Sequence, residues 1–413
     1  MITFVKKWTE SSLILKIIIG LIIGAILGLF FPNFTFIGFL GKLFVSILKA
    51  ISPILVFILV VHAISKAGEG IGSRFKTVLI LFFLTTILAS IVAIIGSILF
   101  PVTIHLSGSN TANAPGNIAD LMSNMILTSV SNPIQLLSEG QYLGILFWAI
   151  VFGMSMKIVA SKSTLDVIEG CSDAVSLVVH GIIQLAPIGI MGLVFTSVSE
   201  SGIGIFAHYG QLILLIVGCM AFVAFILDPI VSWILTRQNP YPLVFICLRE
   251  SGITGFFSRS SAANIPVNLR LCERLGLDKN FFSITIPLGS TIHMEGSAIS
   301  IIIITLALCH TLGVSLSLPI AIGLCLISSL AACASAGVAG GSLLLIPMAS
   351  SLFGISSDLS MQAVAVGFII GVIYDSCETA LNSAGDVFFT ATAEYYNRRK
   401  NREPVNYLGE FAK

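Results

Sequence analysis

Charge is scarce in this 413-residue chain: only 10% of its residues are Asp, Glu, Lys or Arg, against 56% hydrophobic. A soluble domain carries roughly 25% charged residues, so a soluble globular reading is excluded. The net charge of +1, from 21 Lys+Arg against 20 Asp+Glu, offers no broad electrostatic surface for nucleic acid. Cysteine pairs are also missing. The eight cysteines are scattered, mostly in apolar segments and without a Cys-x-x-Cys spacing, which indicates neither a disulfide framework nor a zinc site. The sequence carries no phosphate loop and no organic-cofactor fingerprint. The first apolar run, Leu13 to Phe31, follows Lys6 and Lys7. It lacks a small-residue cleavage pattern and further spans follow at once, so it reads as a retained first helix.

What is present is long apolar runs. Those near residues 13–31, 39–64, 77–100, 142–160, 174–198 and 205–236 are each long enough to cross about 30 Å of hydrocarbon. They are expected to form six ordinary spans. Lys6/Lys7, Lys66/Arg74/Lys76, Lys157/Lys162, Arg237, Arg270/Arg274/Lys279 and Arg398/Arg399/Lys400 fall on one side of this threading, whereas residues 101–141 hold no Lys or Arg. The positive-inside rule then puts both termini in the cytoplasm. Residues 105–140, rich in Asn, Ser, Gly and Pro, are expected to form an external irregular loop.

After Asn239 the pattern changes. Residues 241–268 hold apolar halves around a polar middle that includes Arg259, Ser260, Ser261 and Asn264, and such a middle cannot lie against lipid with its backbone unsatisfied. A helical hairpin re-entering from the cytoplasm fits better. Residues 281–312 form an apolar stretch interrupted by His293-Met294-Glu295-Gly296-Ser297, as expected of a helix unwound at mid-depth. Residues 319–352 repeat the hairpin theme around Ala334 to Gly341, and 359–395 repeat the interrupted helix. The two units would be related by inversion, which places a site at the membrane midplane.

The last of these segments holds Asp375, Glu378, Asn382 and Asp386. At about 100° per residue these four share one helical stripe, with Thr379 at its edge. Three unpaired carboxylates at bilayer depth would cost on the order of 8–10 kcal/mol, so a positive group is expected against them. Glu295 adds a fourth acid, and the nearest protein cation in sequence terms is Arg259. One arginine cannot neutralise four acids. Hard oxygen ligands from carboxylates and freed carbonyls suit an alkali cation, and an ion-coupled symporter is the natural inference. Other features carry plainer readings. Small residues at the hairpin tips, taken alone, pack helices tightly, but each tip precedes a helix broken by polar residues, where exposed N–H groups can hold a carboxylate; Thr85 and Thr86 by themselves bond back to their own helix, and Asp228 before Pro229 is a helix-end polar group. A channel would also explain polar midplane segments, although duplicated hairpins with broken helices favour alternating access. An intramembrane hydrolase using Asp375 and Asp386 is disfavoured, because eleven residues of helical rise separate them by about 16 Å.

Arg259-Ser260-Ser261, the run Pro287 to Gly296, Ala336-Gly337-Val338 and Asn382 to Asp386 closely resemble the signature segments of the dicarboxylate/amino acid:cation symporter family, which includes the glutamate transporters. The segment Asp375 to Asn382 resembles the bacterial serine/threonine:sodium symporter branch. The resemblance implies an all-α polytopic membrane protein with eight transmembrane helices and two re-entrant hairpins, working as a homotrimer in the bacterial cytoplasmic membrane. Residues 1–240 would be mainly scaffold, with the third and sixth spans joining a transport core at 241–397 that moves like an elevator, and 398–413 would be a cytoplasmic tail. It also implies residue roles. The substrate carboxylate would be held around Ser260, Ser261, Ser335, Gly337 and Val338 and by the Asn382 amide, and its ammonium would meet Asp375. One sodium would take Asp386 and the carbonyls of Gly289, His293 and Asn382. A second would lie near Thr291, Met294, Ala332, Cys333 and Ser335, and a third near Thr85, Thr86, Glu295 and His293.

Two departures from the family pattern follow. The usual Asn-Met-Asp-Gly-Thr is here His293-Met294-Glu295-Gly296-Ser297, so the third sodium would be lost or replaced by a proton. Members carrying acidic amino acids have an arginine where this chain has Glu378, and reversing that charge repels aspartate and glutamate. Small neutral amino acids, serine and threonine foremost, are the expected substrates, with Thr379 and Glu378 meeting the hydroxyl. A proton-coupled or acidic-amino-acid transporter of the same fold is the alternative.

Overall fold

The computed structural model describes residues 13–66, 73–106, 130–139, 141–202, 205–333, 335 and 340–412. These residues form helices, turns and connecting loops with no strand among them, as apolar backbone in hydrocarbon demands. The first group of helices is α1 (Leu13–Phe30), α2 (Thr35–Lys66), α3 (Ser73–Leu99), α4 (Pro133–Glu139), α5 (Tyr142–Val159), α6 (Lys162–Ile183) and α7 (Ala186–Ser201). Then come α8 (Ile205–Phe222), a wide turn at Val223–Leu227, and α9 (Asp228–Thr236). The next segment runs through α10 (Tyr241–Cys247), a second wide turn at Leu248–Gly252, α11 (Ile253–Ser258) and α12 (Ser261–Arg274). It is followed by α13 (Lys279–Ile292), α14 (Glu295–Leu312), α15 (Leu318–Ala332), α16 (Ile346–Ser351) and α17 (Ser357–Lys400).

Helix starts follow local chemistry. Ser260, Asp278 and Ser356 stand at the heads of α12, α13 and α17 in extended conformation, and their side chains accept backbone N–H groups two or three residues on, as capping residues do. Prolines open α7 and α15 in the first turn, where a missing N–H costs nothing. The expected span 174–198 is divided in two by this rule: α6 ends at Ile183 and α7 begins at Ala186 with Pro187 in its first turn.

Among the described residues, Phe75–Leu99, Tyr209–Thr236 and Lys279–Leu312 are long and apolar enough to cross a membrane. Ser357–Gly371 and Ile373–Lys400, which meet at an 82° bend, make a fourth crossing if taken as one span. The other apolar helices are shorter, among them Leu15–Phe30 and Ala186–Ser199.

Two modes of packing hold the helices. In the first, α1 lies on α7 through Gly20, Gly24 and Gly28, whose Cβ positions would run into the carbonyl oxygens of Pro187, Met191 and Phe195. On α2, a Cβ at Gly41 would stand 2.6 Å from Leu193 N. These backbones approach closely because glycine permits it. In the second mode, α14 is surrounded: every residue from Glu295 to Cys309 is buried, as a helix apolar on all sides must be. Its neighbours are α3, α8, α15 and α17.

Candidate functional site

The stripe on α17 is met by a different partner at each position. Asp375 Oδ2 accepts from Arg259 Nε at 2.7 Å and from Arg259 Nη2, while its Oδ1 accepts the Gly340 N–H at 3.1 Å. Arg259 itself sits in left-handed conformation, φ 51°, at the junction of α11 and α12. One carboxylate on α17 thus ties the α11–α12 junction to the start of the segment leading into α16. Both side chains are over nine-tenths buried.

Among the described residues Glu378 has no basic partner. Its oxygens accept hydroxyls from Ser297 and Ser300 of α14, each at 2.7 Å, and from Ser342 at 3.1 Å. Ser297 and Ser300 lie three apart on one face of α14, so a single carboxylate bridges both. Both oxygens of the buried group are thereby supplied with hydrogen-bond donors, which explains how this acid is kept in the interior. One turn further on, Asn382 Oδ1 accepts the Gly296 N–H at 2.8 Å, capping the start of α14. Its amide nitrogen stands 3.4 Å from both Met294 Sδ and Ser297 Oγ.

The break between α13 and α14 falls at His293 and Met294, which leave helical geometry with ψ of 90° and 53°. The His293 imidazole lies between acids. Its Nδ1 is 3.2 Å from Asp386 Oδ1, and its Nε2 is 3.2 Å from Glu295 Oε1 and 3.3 Å from Thr85 Oγ1. Phe82 and Phe389 cover the ring, with centroids at 4.7 and 5.4 Å. Two glycines make room: a Cβ at Gly385 would collide with His293 Cε1, and one at Gly289 would stand 2.8 Å from Asp386 Oδ1. Among the described residues no donor is in hydrogen-bond geometry with Asp386 Oδ2. Among the described residues no three His, Cys, Asp or Glu side chains converge as a metal site.

Residues 13–395 match the sodium:dicarboxylate symporter family. The chain belongs to that family. It is 53% identical to the serine/threonine transporter SstT of Bifidobacterium adolescentis over 390 residues, 94% of this chain and 91% of that one. Identity to the serine/threonine transporter SstT of Streptococcus agalactiae is 52% over 393 residues, 95% and 98% of the two chains. For the protein of the same name in Streptococcus thermophilus it is 49% over 400 residues, covering 96% and 99%. The chain is accordingly a multi-pass membrane transporter of the family, not an enzyme.

The remaining residues singled out by family resemblance fall as follows. Ser260 caps α12, with Ala263 N at 3.3 Å from its hydroxyl, and Ser261 is buried beside it. The Thr379 hydroxyl bonds back to the Asp375 carbonyl at 3.1 Å, so it is engaged by its own helix. Thr86 and Thr291 do the same, donating to Phe82 O and Leu288 O at 2.7 Å each. Thr85 is the one of that pair turned toward the imidazole. Ser335 Oγ lies 3.3 Å from Ser297 Oγ, and its N–H donates to the Ala332 carbonyl. Cys333 Sγ is 3.3 Å from the Ile292 carbonyl at the end of α13. Gly337 and Val338 lie outside the described residues.

Several polar residues at the site carried no sequence signal. Ser300 and Ser342 are unremarkable among many serines, and Ser297, marked only as the end of the motif that breaks 281–312, gives no sign of its pairing with Glu378. A second buried seam joins Ser383 of α17 to Asn264 Nδ2 at 2.7 Å, and Asn268 Nδ2 to the Ser383 carbonyl at 3.0 Å; Ser251 Oγ bonds Asn268 Oδ1. Asn264 and Asn268 are four apart on α12, a spacing that marks one helix face but does not reveal its partner.

Proposed function

We propose that this chain is a sodium-coupled symporter that imports small neutral amino acids, serine and threonine foremost, by alternating access. The observation that carries the reading is Glu378. An acidic group buried in the centre of the core, its oxygens taken up by three serine hydroxyls, gives the carboxylate of an acidic substrate side chain an oxygen-rich neighbour and no positive partner there. The names borne by the relatives agree with that preference.

Under this reading the amino acid binds between the α11–α12 junction, the segment before α16, and α17. Its carboxylate is received by the backbone near Ser260, Ser261 and Ser335 and by the Asn382 amide, and its ammonium approaches Asp375 in competition with Arg259. Sodium is a co-substrate held by Asp386, whose Oδ2 lacks a donor, with carbonyls of Gly289, His293 and Asn382. A second sodium lies by Thr291, Met294, Ala332, Cys333 and Ser335. A zwitterion adds no net charge, so the site's acids must be neutralised by cations before the loaded core crosses hydrocarbon. The helices through α7 serve chiefly as scaffold of a homotrimer, with α3 and α8–α9 moving with the core in an elevator motion. Both termini face the cytoplasm of the bacterial membrane.

Uptake of labelled serine into proteoliposomes of the purified chain tests this. Serine should accumulate only with an inward sodium gradient, and unlabelled threonine should compete while aspartate should not. Equal uptake with choline replacing sodium, or aspartate competing as well as threonine, overturns the reading.

A further inference from the structure

Beyond Lys400 the chain turns back on the core. Arg402 takes a left-handed φ of 59°, the Glu403 N–H returns to the Arg398 carbonyl at 2.9 Å, and Pro404 follows, a helix ending that a proline then seals. Residues 405–411 lie across the base of the α10–α12 hairpin, where the chain enters α10 and leaves α12. At the entry, the Tyr407 hydroxyl donates to the Asn239 carbonyl at 2.7 Å. At the exit, Gly409 rests on backbone: a Cβ there would stand 2.5 Å from the Arg274 carbonyl oxygen and 2.5 Å from the Leu275 carbonyl carbon. Val405, Tyr407, Leu408 and Phe411 pack on the buried cluster that holds Leu243 and Leu271.

Leu408 is held at φ 71°, a left-handed conformation that strains a leucine and persists only where its surroundings enforce it. Buried Tyr395 of α17 helps enforce it: its hydroxyl accepts the Leu408 N–H at 3.4 Å, and its ring lies 5.2 Å from that of Tyr407. Arg274, the last residue of α12, carries the contact inward. Its guanidinium covers the Phe411 ring at 4.4 Å, its Nε is 3.4 Å from Glu410 Oε2, and its Nη1 donates to Glu250 Oε2 at 2.8 Å. Exposed ion pairs contribute little, so the apolar and backbone contacts carry the attachment. Glu250 belongs to the wide turn of the first arm. The next residue, Ser251, accepts from Asn264 Nδ2 of the second arm at 3.0 Å, one helical turn from Ser260. The strap is thereby joined through both arms to the junction that carries Arg259, Ser260 and Ser261.

We propose that residues 405–411 are a strap that fixes the α10–α12 hairpin at its base, making Tyr407 and Gly409 positioning residues for the substrate pocket at the hairpin's far end. The pocket itself rests on the transport reading above, whereas the strap does not. The experiment follows hydrogen–deuterium exchange of the full chain in lipid nanodiscs and sodium-driven serine uptake in proteoliposomes, for wild type, Gly409→Ala and Tyr407→Phe. Gly409→Ala should make the amides of residues 241–274 exchange about tenfold faster while those of α14 hold their rate. It should also raise the KM for serine about three- to tenfold, the scale of a residue acting on a site it does not touch, with little change in maximal uptake per folded transporter. Tyr407→Phe keeps the ring and loses only the hydroxyl. It should show the same pattern at smaller size, and it carries the test if Gly409→Ala does not fold. Unchanged hairpin exchange in both variants overturns the proposal, as does faster exchange spread evenly over the chain, the mark of general destabilisation. Faster hairpin exchange with an unchanged KM also overturns it, leaving the strap a stabiliser only. If the wild-type chain takes up no serine, the transport reading falls, and exchange accelerated only within 241–274 still upholds the strap.

Discussion

At the scale of single residues, Glu378 governs both a local structure and a choice of substrate, and its two jobs respond differently to mutation. Glu378→Ala removes the acceptor for the hydroxyls of Ser297, Ser300 and Ser342. Ser300 can still donate to the Gly296 carbonyl and Ser297 to Ser335, so the loss of the shared acceptor should cost about 1–3 kcal/mol, read as a lower melting temperature in detergent. Glu378→Gln keeps the shape and one carbonyl oxygen while removing the charge, so it should melt close to wild type yet let aspartate compete for serine uptake. Both variants melting alike, or aspartate still failing to compete in Glu378→Gln, would separate the charge from the role given to it. The sequence placed Asp375, Glu378, Asn382 and Asp386 on one stripe by helical period alone, and it named Arg259 as the available cation. It gave no sign that Arg259 belongs to Asp375 and hydroxyls to Glu378, because serine is common in this chain. Asp228 does stand at a helix start, as the first residue of α9, although nothing local announces the wide turn before it.

At the scale of elements, the approach of α14 to α17 depends on residues that lack side chains. A Cβ on Gly296 would lie 2.8 Å from Glu378 Cα and 3.0 Å from its Cγ, and backbone of the facing helix cannot step aside as a flexible side chain can. Gly296→Ala should therefore destabilise the chain by about 1–3 kcal/mol, as overpacking does, and should weaken the Gly296 N–H bond to Asn382. Gly218 on α8 is the control, for a Cβ there meets nothing within 4 Å. Gly218→Ala should be neutral or stabilising by up to about 1 kcal/mol, through higher helix propensity. Melting of the two variants side by side checks the contrast, and equal melting points would show that the α14–α17 approach is looser than the geometry indicates. Helix existence was legible in the apolar runs, and the break in 281–312 in its polar interruption. The division of 174–198 was hidden because a proline in a first turn and a proline in a helix interior look alike in a sequence.

At the scale of the whole molecule, two kinds of cohesion divide the labour. The core around α14 and α17 is fastened by buried polar links, with Arg259 to Asp375, Asn264 to Ser383, and serines to Glu378. Such links would hold the core together as one body if it moves as proposed above. The contact of α1 with α7 rests instead on backbone approach through Gly20, Gly24 and Gly28, four residues apart. If α1 and α7 form part of the stationary frame, a bulky residue at Gly24 attacks the frame while leaving every group of the site in place. Gly24→Leu would force its side chain into the Met191 carbonyl and should part the two helices, costing several kcal/mol of packing. The expected result is a melting temperature well below wild type, with the surviving folded fraction retaining the wild-type sodium dependence and serine-over-aspartate preference. A change of preference in that fraction would mean that α1 and α7 help shape the site, and the division into frame and moving core would have to be redrawn.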